Sequence, residues 1–337
     1  MKRFVLTGAA AVFAMIAGAA KAEAPVTIHL AWVLPISNWA SIIYEKKDLM
    51  KHYGKTYQPE LVHFQATPAM IQALAAGEIE VADLAYSSLA IAIENAGMTD
   101  LRIIGDESQD GVAGHSTGQY FVLKDGPVKT IDDLKGKVIA TVATGAALDI
   151  PVRAMLRKHG LEATRDYTVV EAAFPNMLPM LLDHKVDFIM TANPFARDPR
   201  FKDKTRVLFT VAEAMGGPTQ TVVWTARQGF IDAHRAAMVD MMEDAVRAVR
   251  FLTDPANHAE TVAIAARISK QPAANLDYVY GPEDPYRDPN MLPNIANLQR
   301  TIDVQQETGF LKQKLDIAPY SDLSLVKEGA ARIQPKS

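Results

Sequence analysis

Gly114-His115-Ser116-Thr117-Gly118 spells G-x-S-x-G, the spacing at which a tight strand-to-helix turn presents a nucleophilic serine for acyl transfer. That chemistry needs its frame, and the flanking residues do not supply it. Upstream, residues 105–113 (GDESQDGVA) are polar and glycine-bearing, without the apolar run of a buried strand; downstream, residues 119–123 (QYFVL) read as a strand themselves. Ser116 is therefore expected in a glycine-rich connector rather than at a nucleophile elbow. Metal chemistry has no better footing. His29, His52, His63, His115, His159, His184, His234 and His258 are scattered, with no H-E-x-x-H or His-x-His pair. The chain has no cysteine, which removes thiol nucleophiles, thiolate metal sites, disulfides and a lipid-anchored cysteine. Neither a phosphate-cradling Walker loop nor a G-x-G-x-x-G turn is present. Asp132 and Asp133, the most obvious carboxylate pair, sit at capping-box spacing after Thr130. No catalytic residue, no metal and no cofactor is expected.

Polar residues at the ends of strands are the remaining candidates, so the elements that carry them matter. Val26, Ile28, Leu30 and Trp32 alternate as in a strand, and a turn at Pro35, Ser37 and Asn38 opens a helix carrying Trp39, Ile42 and Ile43. A strand at 61–64, a helix opened by Thr67-Pro68 and stopped at Gly77, a strand at 81–86 and a helix with Ser87-Ser88 as N-cap complete a first α/β lobe. The grammar restarts after the connector. Strands are expected at 119–123, 137–142, 167–172 and 186–191. Between them, Thr144-Gly145-Ala146 leads into a helix that starts late with Asp149 as its cap or is kinked at Pro151, and residues 176–185 form a helix with Pro179 in its first turn. From Gly216 the chain gives a strand at 221–226 and then mainly helix, with Met238, Met241 and Met242 as a core stripe and a proline-rich loop at 281–289. Ligands of parallel α/β lobes bind beyond the carboxyl ends of strands, at the N-termini of the following helices. Trp32 to Trp39, Ser87 and Ser88, Thr144 to Ala146, and Asn193 with Phe195 occupy those positions.

Composition narrows the setting. Lys2 and Arg3 precede an apolar run that closes on Ala20-Lys21-Ala22, so residues 1–22 read as a cleaved secretory signal peptide. Losing Lys2, Arg3 and Lys21 takes the net charge from −4 to −7, which disfavours nucleic acid as a partner. No later run is long and apolar enough to span a membrane.

Residues 128–161 (VKTIDDLKGKVIATVATGAALDIPVRAMLRKHGL) resemble a block of the periplasmic solute-binding proteins of nitrate, sulfonate and taurine ABC importers. Residues 74–97, residues 180–196, NLQRTIDVQQETGFL and DLSLVKEG resemble flanking pieces of the same family. The resemblance implies an α/β, two-lobe type II periplasmic binding-protein fold. Each lobe is a mostly parallel sheet flanked by helices, and the C-terminal region is mainly helical. Lobe I is expected to take 23–112 and 217–337, and lobe II 113–216, with crossings near Gly111 to Gly118 and Ala212 to Pro218. Carried over by position, the binding turns fall on Trp32, Ser37, Asn38, Ser87, Ser88, Thr144, Gly145, Ala146 and Asn193. Trp32, Trp39 and Phe195 leave room for a planar ligand, and Ser116 is at most a hydrogen-bond donor at the cleft edge. No arginine lies in these turns, and Arg197 reads as a surface residue. Glu80 stands where the family often has Asp, and His184-Lys185 replaces its usual small-Gly pair. The implied role is a monomeric periplasmic protein, not an enzyme, that captures a small anion (sulfonate, aromatic carboxylate or nitrate) and delivers it to a permease with its ATPase. The alternatives are a secreted hydrolase using Ser116 and a ligand-presenting partner of a sensor or another transporter.

Overall fold

The computed structural model describes residues 24–333; the signal peptide expected at 1–22 lies outside them. Among the described residues, strands β1 (Val26–Trp32), β2 (Tyr57–His63), β3 (Val81–Ala85), β4 (Leu101–Asp110) and β10 (Thr219–Arg227) form one sheet. Strands β5 (Gln119–Leu123), β6 (Val138–Thr141), β7 (Thr168–Glu171), β8 (Phe188–Met190) and β9 (Thr205–Thr210) form a second. The orders are β2-β1-β3-β10-β4 and β7-β6-β8-β5-β9. In each, three neighbouring strands run parallel and one antiparallel strand, β10 or β5, is inserted before the last. That inserted strand is the one the chain makes on arriving from the other sheet, across residues 111–118 into β5 and across 211–218 into β10. The molecule is thus two α/β lobes of matching topology joined by two crossings.

The helices are α1 (Thr67–Ala76), α2 (Tyr86–Glu94), α3 (Asp149–Lys158), α4 (Phe174–Leu182), α5 (Arg200–Lys204), α6 (Val211–Met215), α7 (Gln228–Thr253), α8 (His258–Ser269), α9 (Ile295–Glu307) and α10 (Ser324–Ile333). Local chemistry sets their ends. Pro68 pre-sets the first turn of α1, and Gly77, at φ 71°, accepts the left-handed conformation that stops it. At α6, Thr210 and Glu213 complete a reciprocal capping box and Gly216 ends the helix.

One core lies between the first sheet and α7 and α10, built on Trp39, Trp224, Met238, Met241 and Met242. The methionine stripe packs there as expected. A second core runs from the other face of the first sheet, through α2 and α9, into the second lobe. Helix α9 straps the two together: Gln305 Nε2 donates to the Ser87 carbonyl at 3.0 Å, and the Glu307 carbonyl accepts from Arg157 Nη1 at 2.8 Å.

Several local expectations are corrected. Residues 39–49 form two 3-10 turns rather than an α-helix. Strand β2 begins at Tyr57, ahead of the expected run. Ser87 and Ser88 lie inside the first turn of α2, whose N-cap is Ala85 and which has no side-chain cap. Because Phe174 and Pro175 open α4, Pro179 falls mid-helix. Helix α3 starts late, with Leu148 rather than Asp149 as its N-cap, and Pro151 falls in its first turn. The largest departure is β4. Its half from Gly105 to Asp110, expected as connector, is buried strand, because each carboxylate there finds donors inside the protein.

Candidate functional site

Between the two sheets lies a cavity of about 480 Å³, within the roughly 300–1,000 Å³ of small-molecule sites. Four helices open on it: α1 through Thr67, α2 through its N-cap Ala85, α3 through its N-cap Leu148, and α4 through Phe174. Each helix start carries partial positive charge, so the arrangement favours an anion even where no cationic side chain is free. Val33, Leu34, Phe121, Val142, Leu148, Phe174 and Val222 give the wall apolar stretches; Ser108, Thr117, Thr191 and Thr221 give it hydroxyls. The Thr191 hydroxyl is buried and has no protein partner, which leaves it available to a ligand or water.

Ser37, Asn38, Ser116, Ala146 and Asn193 line the cavity. Asn38 shapes it: its Oδ1 accepts from the Val33 and Leu34 N–H groups at 3.0 and 2.6 Å, folding the 33–38 turn. Ser37 Oγ donates to the Asn193 carbonyl at 3.1 Å, so these two turns meet from opposite lobes. The remaining expected residues stand back. Trp32 packs on His63 at 4.4 Å, and Trp39 is fully buried against Tyr280. Ser88 pairs with Thr67, while the Ser87 hydroxyl is buried without a partner. Thr144 is exposed, its N–H held by Glu171, and the Gly145 N–H is held by Asp149. Phe195 stacks on Phe174 from behind, with centroids 6.0 Å apart. Ser116 is fixed by its backbone, its N–H on the Asp284 carbonyl and its own carbonyl accepting from Gly111. The adjacent His115 aims Nδ1 at the Asp284 carbonyl rather than at the Ser116 hydroxyl.

Sequence reasoning missed the loop that closes one side. Residues 281–287, read only as a proline-rich connection, contribute Asp284 and Arg287. Arg287 is 6% exposed; its guanidinium donates to Asp284 Oδ2 and to the Pro285 and Ser37 carbonyls, all at 3.0 Å, and lies over the Trp39 and Tyr280 rings. Arg197, expected on the surface, lines the cavity and pairs with Glu283 at 2.7 Å. Two flags were available in the sequence: an Arg among Asp and Pro residues in the loop, and an Arg four residues after Asn193.

Strand β4 brings an unusual row of carboxyls to the cavity floor. Asp110 lines it, accepting from Thr117 Oγ1 at 2.5 Å and the Gly118 N–H at 2.6 Å, and burial pushes its carboxyl up to about 6. Behind it, burial pushes Asp106 up to about 7. Glu107 ties the Trp39 N–H, Asn38 Nδ2 and Trp224 Nε1 together; burial pushes its carboxyl up to about 8, and burial, then the neighbouring Glu107 carboxyl, raises Asp83 well above the usual carboxylate range.

Residues 21–266 match the NMT1-like family. A search of curated proteins finds no match. Among solved structures, the chain is similar to the alkanesulfonate-binding protein SsuA of Xanthomonas axonopodis pv. citri bound to MOPS, at 19% identity over 89% of this chain and 99% of that one, with a TM-score of 0.69. It is also similar to the periplasmic nitrate-binding protein NrtA of Synechocystis PCC 6803, at 14% identity, 93% and 92% coverage, and a TM-score of 0.68. The desulfurization enzyme DszB is similar at 14% identity, 92% and 100% coverage, and a TM-score of 0.64. At these identities the likeness is one of fold.

Proposed function

Because the chain belongs to the NMT1-like family, we propose that it is the extracytoplasmic solute-binding component of an ABC importer. In this reading a small anion enters between lobe I (23–112 and 217–337) and lobe II (113–216). The lobes close on it, and the loaded monomer docks on a membrane permease whose ATPase drives transfer. Residues 1–22 act as the export signal, giving a periplasmic location. The observation that carries the reading is the convergence of four helix N-termini on one cavity between two lobes. Relatives named for alkanesulfonate and nitrate binding agree with an anionic solute. The volume and apolar wall favour a sulfonate or an aromatic carboxylate over nitrate. Ser37, Asn38, Ser116, Thr191 and Asn193 are the proposed hydrogen-bonding residues.

DszB has the same fold and is an enzyme, so catalysis needs its own argument. Ser116 has no imidazole positioned as its base, His115 being turned to Asp284. We therefore read the protein as a binder.

A thermal-shift panel on residues 23–337 with alkane- and arylsulfonates, aromatic carboxylates and nitrate tests this. A solute at about one hundred times its dissociation constant adds about 2.7 kcal/mol. The expected result is a rise of several degrees for an organic anion, reduced in Asn193→Ala and Thr191→Val. A flat panel together with ester turnover that disappears in Ser116→Ala would reverse the reading.

A further inference from the structure

The 281–287 loop belongs to the first lobe at its base and to the second at its tip. Its base is tied to β4 and the 33–38 turn. The Gln109 N–H donates to the Tyr286 carbonyl at 2.8 Å, Asp106 Oδ2 accepts from the Asp288 N–H at 2.9 Å, and Arg287 donates to the Ser37 carbonyl. Its tip reaches the segment that follows β8. Arg197 Nη1 donates to Glu283 Oε2 at 2.7 Å, Arg197 Nη2 donates to the Glu283 carbonyl, and Asn193 Nδ2 donates to Asp284 Oδ1 at 2.9 Å. Asp284 is 2% exposed and is held from its own side by Arg287 and the Tyr280 N–H. The base contacts lie within one lobe and move with it. The tip contacts join bodies linked by two crossings, so a hinge opening must break all of them together.

We propose that Glu283 and Asp284, engaging Arg197 and Asn193, form a latch that sets the balance between the closed and open cleft. The loop then tunes solute retention through the closing equilibrium, since a ligand's apparent affinity scales with the fraction of competent molecules. Asp284 acts as a positioning residue, presenting one carboxylate oxygen across the cleft while Arg287 fixes the other. The acidic half of the latch, Glu283 and Asp284, lies beyond residue 266, where the family match ends, while Arg197 and Asn193 lie within it. The proposal rests on the reading that the lobes open and close around a solute.

The absence of cysteine allows spin labels to be placed cleanly. Labels at E78C and K185C, exposed positions on the two lobes, report the inter-lobe distance by pulsed electron paramagnetic resonance without any added solute. Arg197 and Glu283 pair near the surface, with side chains 28% and 73% exposed, so reversing either charge spares the cores. R197E and E283R are each expected to lower the closed-to-open ratio about two- to fivefold, the scale of a partly exposed ion pair. The double variant R197E/E283R is expected to recover the part carried by the ion pair, though not the bond to the Glu283 carbonyl, and a merely structural role for either residue does not produce that recovery. Two distance populations that ignore the charge swaps would overturn the latch and leave lobe closure standing. One unchanging distance in every variant would overturn both.

Discussion

Asp110 shows how a single side chain ties the cavity to the fold. Its carboxyl holds the end of the first crossing through Thr117 and Gly118 while facing the cavity. Its folded pKa of about 6 lies above the ordinary 3.8, so between those values the native state binds more protons than the unfolded chain. The stabilisation is therefore complete below about pH 4 and is lost as pH rises through 6. Asp106, at about 7, extends the same loss upward. Asp110→Asn should flatten the fall in melting temperature between pH 4.5 and 7.5, removing up to about 3 kcal/mol of pH dependence; an unchanged slope would return Asp110 to an ordinary carboxyl. Arg287 tests the opposite case, a buried cation. Arg287→Met leaves Asp284 buried and without its guanidinium, and urea denaturation should register a loss of roughly 3–5 kcal/mol. If Asp284→Asn is added, the two losses should not sum, because both act on one network.

Helix α10 was legible in the sequence only as a resemblance, and its packing was not legible at all. A Cβ built on Gly329 would stand 2.7 Å from the Glu243 backbone nitrogen in α7. Gly329→Ala, which by helix propensity alone should stabilise, is instead expected to push α10 off α7 and cost about 1–3 kcal/mol; a raised melting temperature would show that α7 yields. The same contrast explains what could and could not be read beforehand. Apolar periodicity located most strands and most long helices, because sheets and helices bury their faces by spacing. It failed at β4, where Asp106, Glu107 and Asp110 are buried by hydrogen bonds to residues as distant as Trp224 and Asp288. Strand-end logic reached the cavity-lining positions Ser37, Asn38, Ala146 and Asn193 but passed over Thr191, two residues before Asn193. Ser87, Thr144 and Phe195, expected by the same logic, stand outside the cavity lining. Loop 281–287 was out of reach, because nothing local to GPEDPYRDP says which cavity it will wall.

At the scale of the molecule, two lobes share a core through α2 and α9, which argues for one unfolding transition rather than two. The chain's three tryptophans offer an asymmetric probe: Trp39 and Trp224 lie in the core of the first lobe and Trp32 packs against it. Tryptophan fluorescence therefore reports that lobe, while far-ultraviolet circular dichroism reports both. The two urea curves are expected to coincide, and a fluorescence midpoint displaced from the dichroism midpoint would show that the lobes melt separately. A chain made from its N-terminus has finished every strand of both sheets by Arg227, yet the segment that completes the cavity has still to appear. A chain ended between Arg227 and Asp284 would carry every described strand of both sheets and still lack one wall of the cavity.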